Sequence, residues 1–182
     1  PYQSPKVTIS KPTIIIIPEY KKPDIKAYKK GLKLVTVKTI RGPINVQNPQ
    51  INSLSKLNCI LACIEANKKN ADEALMFDIN GNIATNNSTH FFFVKNKTVF
   101  TSTGKYCVTG ITRQKIIDIC KKNKIKVKEK NFKLNEVLNA DEAFCTGSFA
   151  GIVPVNQINK KKYSLKKNPI TKELTNFYNN LF

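Results

Sequence analysis

The sequence predicts one domain of the α/β class (mixed α+β), and three observations support that prediction. The chain has 182 residues, 41% of them hydrophobic, so it is long enough to bury a substantial core. Stretches with the two-residue period of a strand alternate with stretches of helical period, which favours a mixed sheet with flanking helices. No repeat or long linker divides the chain. The longest apolar run, residues 14–17, is too short to span a bilayer, so we expect no membrane partner.

Six stretches have the alternating or β-branched composition of strands. They lie at residues 33–40, 73–78, 91–94, 98–100, 126–130 and 142–146. Asn80-Gly81 follows the second of them and predicts a hairpin turn. Upstream of all six, the first 22 residues are punctuated by prolines. They predict an extended segment that includes the β-branched run at residues 13–17.

Four stretches have helical periodicity. They begin at residue 52 and near residue 112, and the other two span residues 134–138 and 170–181. The expected N-cap of the first helix is Asn52 or Ser53. One face of this helix carries the apolar residues Leu54, Leu57, Ile60, Leu61 and Ile64. In the second helix we expect Ile116, Ile117 and Cys120 to face inward.

The net charge of +19 raises the question of a nucleic-acid partner. Only two of the 31 basic residues are arginines, Arg41 and Arg113, and the rest are lysines scattered along the chain. Arginine supplies the forked contacts to phosphates and bases that nucleic-acid readout uses. We therefore expect a solvated basic surface and no specific nucleic-acid partner.

The chain has five cysteines, an odd number without the spacing of a disulfide framework. This usage predicts free thiols in a reducing compartment, and hence a cytoplasmic location, with organelle targeting by a missing N-terminal segment left open. Cys59 and Cys63 lie four residues apart, as two metal ligands would. No histidine or second cysteine pair accompanies them, so we interpret them as small buried hydrophobes and expect no metal.

A first turn with the composition of a phosphate-binding loop lies at residues 108–113. Gly110 leads there directly into a predicted helix. The backbone N–H groups of Ile111 and Thr112 would have no partner within the helix, and they would lie at the positive end of its dipole.

A second turn of this kind lies at residues 146–148, where a predicted strand runs into Gly147 and Ser148. Free amides and the serine hydroxyl are the groups that such a turn offers to a phosphate. Tripeptides of this composition are common, so neither turn is specific by itself.

The order and spacing of these segments resemble the signature of the fold-type IV pyridoxal-phosphate enzymes. This group includes the branched-chain and D-amino acid aminotransferases and aminodeoxychorismate lyase. The matching segments are Thr85 and His90 with the aromatic pair at 91–92, the strand end at 99–101, the turn at 108–113, the block 140–148 with Pro154-Val155, and residues 168–171. The resemblance covers about residues 13–182 of the chain.

The resemblance implies the large C-terminal domain of that fold, with mixed sheets in a pseudo-barrel and flanking helices. On this basis residues 1–22 are an extended interdomain connection, and residues 23–182 are the cofactor-binding domain. The small N-terminal domain of the family is expected to be absent from this chain.

The resemblance further implies pyridoxal 5'-phosphate as cofactor. The implied enzyme moves an amino group between an amino acid, of the branched-chain or D-amino acid type, and a 2-oxo acid. The phosphate ligands would be Gly110, Ile111, Thr112, Gly147 and Ser148. Family members are commonly homodimers, so self-association is expected. Two alternatives stay open: lyase chemistry of the aminodeoxychorismate type, and a degenerate member that acts as a binding or scaffold protein.

The sequence departs from the family at the lysine that forms the Schiff base with the cofactor. Gapless counting places that lysine at Ile51 or Asn52, and neither side chain can form an imine. The nearest candidate is Lys56, four residues after Asn52 and therefore on the same face of a predicted helix. Buried among apolar side chains, its amine would be held in the neutral form that the reaction requires. The alternative is that Lys56 is one more solvent-facing lysine.

Three further departures concern the ring and the substrate pocket. Thr85 stands where the family has the Glu that pairs with the pyridine nitrogen, so the cofactor would be a weaker electron sink. His90, the only histidine, replaces an Asn within an otherwise intact motif and is a candidate pocket residue. Phe149 replaces a small residue and is expected to narrow the pocket.

Overall fold

A computed structural model describes residue 11 and residues 13–181 of the chain. Half of the predicted extended segment at 1–22, namely residues 1–10 and 12, therefore lies outside the described residues. The described strands are β1 (Leu32–Thr36), β2 (Glu73–Phe77), β3 (Ile83–Asn86), β4 (His90–Lys95), β5 (Thr98–Thr101), β6 (Val127–Glu129), β7 (Glu142–Gly147), β8 (Gly151–Ile158) and β9 (Lys161–Lys162). The described helices are α1 (Ile25–Lys30), α2 (Leu57–Lys68), α3 (Ile111–Lys122), α4 (Leu134–Leu138) and α5 (Pro169–Asn179).

All nine described strands belong to one mixed sheet, which confirms the predicted fold class. Eight of them follow the order β3-β2-β1-β8-β7-β4-β5-β6, and β9 pairs with β8. The pairs β1–β2, β1–β8 and β5–β6 are parallel, and the remaining pairs are antiparallel. The sheet curls into a half-barrel, and the amide of Asn86 at the end of β3 donates to the carbonyl of Thr89, just before β4.

Strand β4 lies at the centre of the core because both of its faces are buried. Phe91 and Phe93 contact Phe132 on one side of the sheet. On the other side, Phe92 stacks on Phe144 of β7 with ring centroids 5.0 Å apart, beneath helices α3 and α5. A strand covered on both faces explains why residues 91–94 form an unbroken apolar run.

The predicted strands form, but the first one ends earlier than expected. The backbone amides of Lys38 and Thr39 do not continue the ladder, because both donate to the Glu65 carboxylate of α2, at 2.7 and 2.9 Å. The hydrogen bond from the Thr39 hydroxyl also lowers the pKa of Glu65. The last predicted helix starts at Pro169 and ends at Asn179, and Ile116, Ile117 and Cys120 of α3 are fully buried as expected.

Helix α2 differs from its prediction in both start and orientation. It begins at Leu57, five residues later than predicted, because local bonds such as that from the Ser55 amide to the Ser53 side-chain oxygen compete with helix formation in the preceding segment. Its buried residues are Ala62 and Ala66. The predicted apolar residues are exposed instead: Leu54, Leu57, Ile60, Leu61 and Ile64. Small residues face the sheet because they allow the helix to pack closely.

Several elements were not predicted from the sequence. These are α1, β8 and β9, whereas β3 is the second strand of the hairpin that Asn80-Gly81 predicted. The isoleucine run at residues 14–17 forms no strand and is 74–85% exposed.

Within residues 13–181, every helix is too short or too polar to serve as a membrane span. All five cysteines are free, and Cys59 and Cys63 are only half-buried, so the expectation that these two are buried is wrong.

Glu142 at the start of β7 connects the sheet to the last helix. Its buried carboxylate accepts hydrogen bonds from the amides of Ile170 and Thr171, at 3.1 and 2.7 Å, and from the Thr171 hydroxyl at 2.7 Å. These amides belong to the first turn of α5, where no intrahelical acceptor exists. Glu142 therefore caps this helix from another element.

We expect Glu142→Gln to lower the free energy of unfolding by about 2–3 kcal/mol, because charge-assisted bonds to buried groups are lost. Asp141→Asn is the matched control, since its ion pair with Lys95 is half-exposed and worth less than about 1 kcal/mol. Urea unfolding of both variants measures the difference. Equal losses in the two variants would contradict this account of α5.

Candidate active site

One cavity of about 730 Å³ collects the residues that the sequence singled out. Its wall is built from residues 40–63, the loop at 85–90, the segment at 107–112 and the turn at 146–148. Antiparallel pairing brings two of these segments together, because His90 of β4 lies opposite Thr146 of β7. The two predicted phosphate turns both line this cavity, although they are more than 30 residues apart in sequence.

The first turn presents the N-terminus of helix α3 to the cavity. Gly110 is the N-cap residue with extended backbone, and no side chain caps the helix. The first amides, beginning with Ile111 and Thr112, therefore lack an intrahelical acceptor at the positive end of the dipole. A Cβ at Gly110 would clash with the ring of His90, so a larger residue there would require the ring to move.

The second turn contributes a buried hydroxyl that has no partner. Thr146 lines the cavity and is 1% exposed, and its Oγ1 atom makes no hydrogen bond with any described residue. The side-chain oxygen of Asn86, which also lines the cavity, is likewise unpartnered. Leaving such groups buried and unpaired is costly. A polar ligand in the cavity would relieve this cost. Gly147 and Ser148 continue the wall at the mouth.

The charge of the cavity wall has one sign. Among the described residues that line it there is no Asp or Glu, whereas Arg41 and Lys56 are both present. The remaining polar lining consists mainly of uncharged hydroxyl and amide side chains, and the amides are Gln47, Asn48, Asn52, Asn58, Asn86 and Asn87. Together with the helix N-terminus, this composition favours an anionic ligand.

Lys56 is the one lysine among the described residues that line this cavity. It precedes α2 as its N-cap residue and makes no side-chain cap bond. Its Nζ donates to Oδ1 of Asn52 at 2.6 Å, and Ile51 also lines the cavity. The prediction that Asn52 and Lys56 share a helix face is wrong, because both precede the helix. The predicted burial of Lys56 is also wrong, since its side chain is exposed.

Thr85 lies deep in the wall and is 4% exposed. Its Oγ1 donates to the backbone carbonyl of Thr89 at 3.0 Å, so the hydroxyl proton is committed and only the oxygen lone pairs remain.

The loop that follows Thr85 is held by Glu73, whose carboxylate accepts from the hydroxyls of Ser88 and Thr89. Burial raises the pKa of Glu73.

His90 packs directly against the first turn. Its Nε2 contacts the carbonyl oxygen of Val108 at 2.5 Å, and because a carbonyl can only accept, Nε2 carries the proton. Burial lowers the pKa of His90, and the nearby guanidinium of Arg113 lowers it further. The neutral ring therefore leaves Nδ1 as an acceptor.

Phe149 does not line the cavity, so the prediction that it narrows the pocket is wrong. Gly147 pairs with Gly151 where β7 turns into β8, and Phe149 lies at the tip of this hairpin. Its ring is half-exposed in a separate cleft of about 320 Å³, with Tyr28 and Tyr178, and Lys21 lies 5.8 Å from its centroid. The hairpin turns the side chain away after Ser148.

Sequence reasoning missed several residues of the cavity wall. Thr146 belongs to the predicted second turn at 146–148 but was not named as a phosphate ligand, and only its buried, unpartnered hydroxyl distinguishes it. Arg41 enters the sequence argument only through the charge balance, as one of two arginines. Cys107 also lines the wall, and burial raises the pKa of its thiol. The rarity of arginine is a sequence signal that could have identified Arg41, but no such signal exists for the other two.

Comparisons with known proteins agree with this geometry. Residues 3–158 match the family model of class IV amino-transferases. The branched-chain-amino-acid aminotransferase-like protein 2 of Arabidopsis thaliana is 35% identical over 170 residues, which are 93% of this chain and 30% of that protein. This chain therefore spans about a third of that relative's length, and about half of the solved structures below.

Two solved structures show the same fold. An aminotransferase from Brucella abortus, bound to the co-factor PLP, superposes with a TM-score of 0.79 at 26% identity, covering 91% of this chain and 56% of that one. A Legionella pneumophila structure assigned to 4-amino-4-deoxychorismate lyase gives a TM-score of 0.77 at 25% identity, covering 82% and 55%. The family match, the fold and the two converging turns lead to one conclusion: the chain belongs to the class IV aminotransferases.

Proposed function

We propose that this chain forms the cofactor-binding part of a pyridoxal-phosphate-dependent aminotransferase. The enzyme moves an amino group between an amino acid, of the branched-chain or D-amino acid type, and a 2-oxo acid. One observation carries the proposal. The uncapped N-terminus of α3 and the unpartnered hydroxyl of Thr146 meet in a cavity whose described lining has no carboxylate.

The residues of the two turns fit a phosphate monoester. The amides of Ile111 and Thr112 would donate to its oxygens, and the helix dipole would favour its charge. Ser148 and the backbone of Gly147 would hold it from the second turn. Thr146 would donate a hydrogen bond for which the described residues provide no acceptor.

Lys56 would hold the cofactor's aldehyde, because it supplies the one amine on the described wall of the cavity. Its bond to Asn52 positions the amine without adding a charge beside it. The exposed stem can swing toward the cavity, since no cap bond fixes it. When released, the same amine would carry a proton to and from the substrate carbon.

The bound cofactor supplies an electron sink for charge at the substrate Cα. Thr85, with its proton committed to Thr89, offers the ring nitrogen only an uncharged acceptor. This contact stabilises a positive ring nitrogen less than a carboxylate would. We therefore expect slow transamination.

The neutral His90 beside the first turn would accept a hydrogen bond from the substrate at Nδ1.

The exposed apolar face of α2 supports self-association. Leu57, Ile60, Leu61 and Ile64 are 44–69% exposed on one side of the helix that borders the cavity. We propose that the protein is a homodimer and that the dimer interface covers this face.

The free cysteines support a reducing compartment such as the cytoplasm.

Lyase chemistry on aminodeoxychorismate is the second candidate, because the Legionella pneumophila structure shares the fold and Thr85 weakens the case for transamination. Incubation with amino acids and 2-oxoglutarate, in parallel with a pyruvate-release assay, separates the two. Cofactor binding without either activity would indicate the degenerate member that acts as a binding protein.

Replacing Lys56 with Gln should abolish the visible absorption band that develops when pyridoxal phosphate is added. The fold should survive, because Lys56 makes no helix-cap bond. Borohydride reduction followed by peptide mass spectrometry identifies the modified lysine. Lys68→Gln, an exposed change at the far end of α2, is the control for nonspecific reaction with surface lysines. If the modified residue in the wild type is not Lys56, the assignment of Lys56 as the cofactor-binding lysine is wrong.

Replacing Thr146 with Val should weaken pyridoxal phosphate binding about tenfold, the equivalent of one hydrogen bond. Stability of the apo protein should stay the same or rise, because the lost hydroxyl has no partner. Fluorescence titration and thermal unfolding measure the two effects. An unchanged affinity would show that the phosphate does not reach this turn.

Stability should fall as the pH drops below about 6.5, the ordinary pKa of histidine. The pKa of the buried His90 is lowered, so in this window the unfolded chain binds a proton that the folded protein does not. His90→Asn, which lacks the titrating group, should lose less stability between pH 7 and pH 5. Urea unfolding at several pH values provides the comparison, and parallel curves for the two proteins would refute it.

A further inference from the structure

Arg41 is a buried cation in the wall of the cavity. Its side chain is 9% exposed and is held by three neutral acceptors. Nε donates to the carbonyl of Tyr106 at 3.0 Å, one Nη to Sγ of Cys59 at 2.9 Å, and the other Nη to the carbonyl of Pro49 at 3.2 Å. These bonds fix the plane of the guanidinium but do not neutralise it.

The described residues give Arg41 no acidic partner. Their three ion pairs involve Lys95, Arg113 and Lys130 instead. The backbone of Arg41 pairs with Asp78, but the Asp78 carboxylate accepts from the amides of Asn80 and Asn82 in the hairpin turn. A buried charge without a counter-ion is costly, so an anion in the cavity would stabilise it.

The guanidinium also has N–H donors that no described residue accepts from. It has five N–H groups, and three of them have the partners given above. Of the two that remain, one belongs to each Nη atom, and a planar guanidinium can use such donors to bind a carboxylate. Arg113, the other arginine, differs because Glu129 pairs with it at 2.7 Å.

We propose that Arg41 binds the carboxylate of the substrate and makes the cavity selective for amino and 2-oxo acids over their uncharged analogues. The identity of this ligand rests on the proposed function. In that proposed function the cofactor phosphate binds at the N-terminus of α3. The anion at Arg41 would therefore be a different group from the phosphate. A guanidinium that served only to hold the loop at 42–55 would not distinguish an acid from its amide.

The test compares 4-methylpentanoate with 4-methylpentanamide, two probes of nearly equal shape that differ in charge. Isothermal titration is carried out on the apo protein and on protein saturated with pyridoxal phosphate. We expect the wild type to bind the acid at least tenfold more tightly than the amide. Arg41→Gln should remove this preference and change pyridoxal phosphate affinity by less than threefold.

Two further variants keep the result decisive. Arg41→Lys keeps the charge without the fork and should leave an intermediate preference, so it replaces Arg41→Gln if that variant does not fold. Lys68→Gln removes an exposed charge on the same helix that borders the cavity and should leave the preference intact. Equal acid and amide affinities in the wild type, or a preference that survives in both Arg41 variants, would overturn the proposal. Absence of pyridoxal phosphate binding would instead refute the proposed function.

Discussion

The convergence of a helix N-terminus and a strand turn on one cavity, whose described lining has no carboxylate, is the constraint on which the site depends. Pairing of β4 with β7 sets His90 opposite Thr146, and the glycine at 110 lets the imidazole lie against the start of α3. Both turns are therefore held by a strand whose two faces are buried. The rigid sheet positions the groups that would receive a phosphate, and the segment before α2 carries the amine.

Electrostatics set this cavity apart from a general polar pocket. Its described lining contains Arg41, Lys56 and amides, while the nearby Glu73 is buried behind the loop at 85–90 and is engaged by hydroxyl groups. The uncharged Thr85 stands at the position where the family has a Glu. In the proposed function, the site would combine attraction for anions with weak support for a positively charged ring nitrogen, which would favour cofactor binding over fast turnover.

The sequence predicted the elements better than the side-chain directions. Aromatic and β-branched runs identified β4, β5 and β7, and glycine before a helical period identified the first turn, because these signals are local. The predictions for the burial of Lys56 and the direction of Phe149 were wrong, since one depends on where α2 begins and the other on the hairpin after Gly147. The side-chain partners of Arg41 could not be predicted because they come from three separate parts of the chain, at Pro49, Cys59 and Tyr106.

The phosphorus-31 resonance of pyridoxal phosphate tests the central claim most directly, because it reports on the phosphate alone. If the two turns hold the group as a dianion, the resonance of the bound cofactor will stay constant across the pH range near 6 in which the free phosphate titrates. A bound resonance that titrates like the free compound would contradict the account, since the phosphate would then lie in solvent rather than between α3 and the β7–β8 turn.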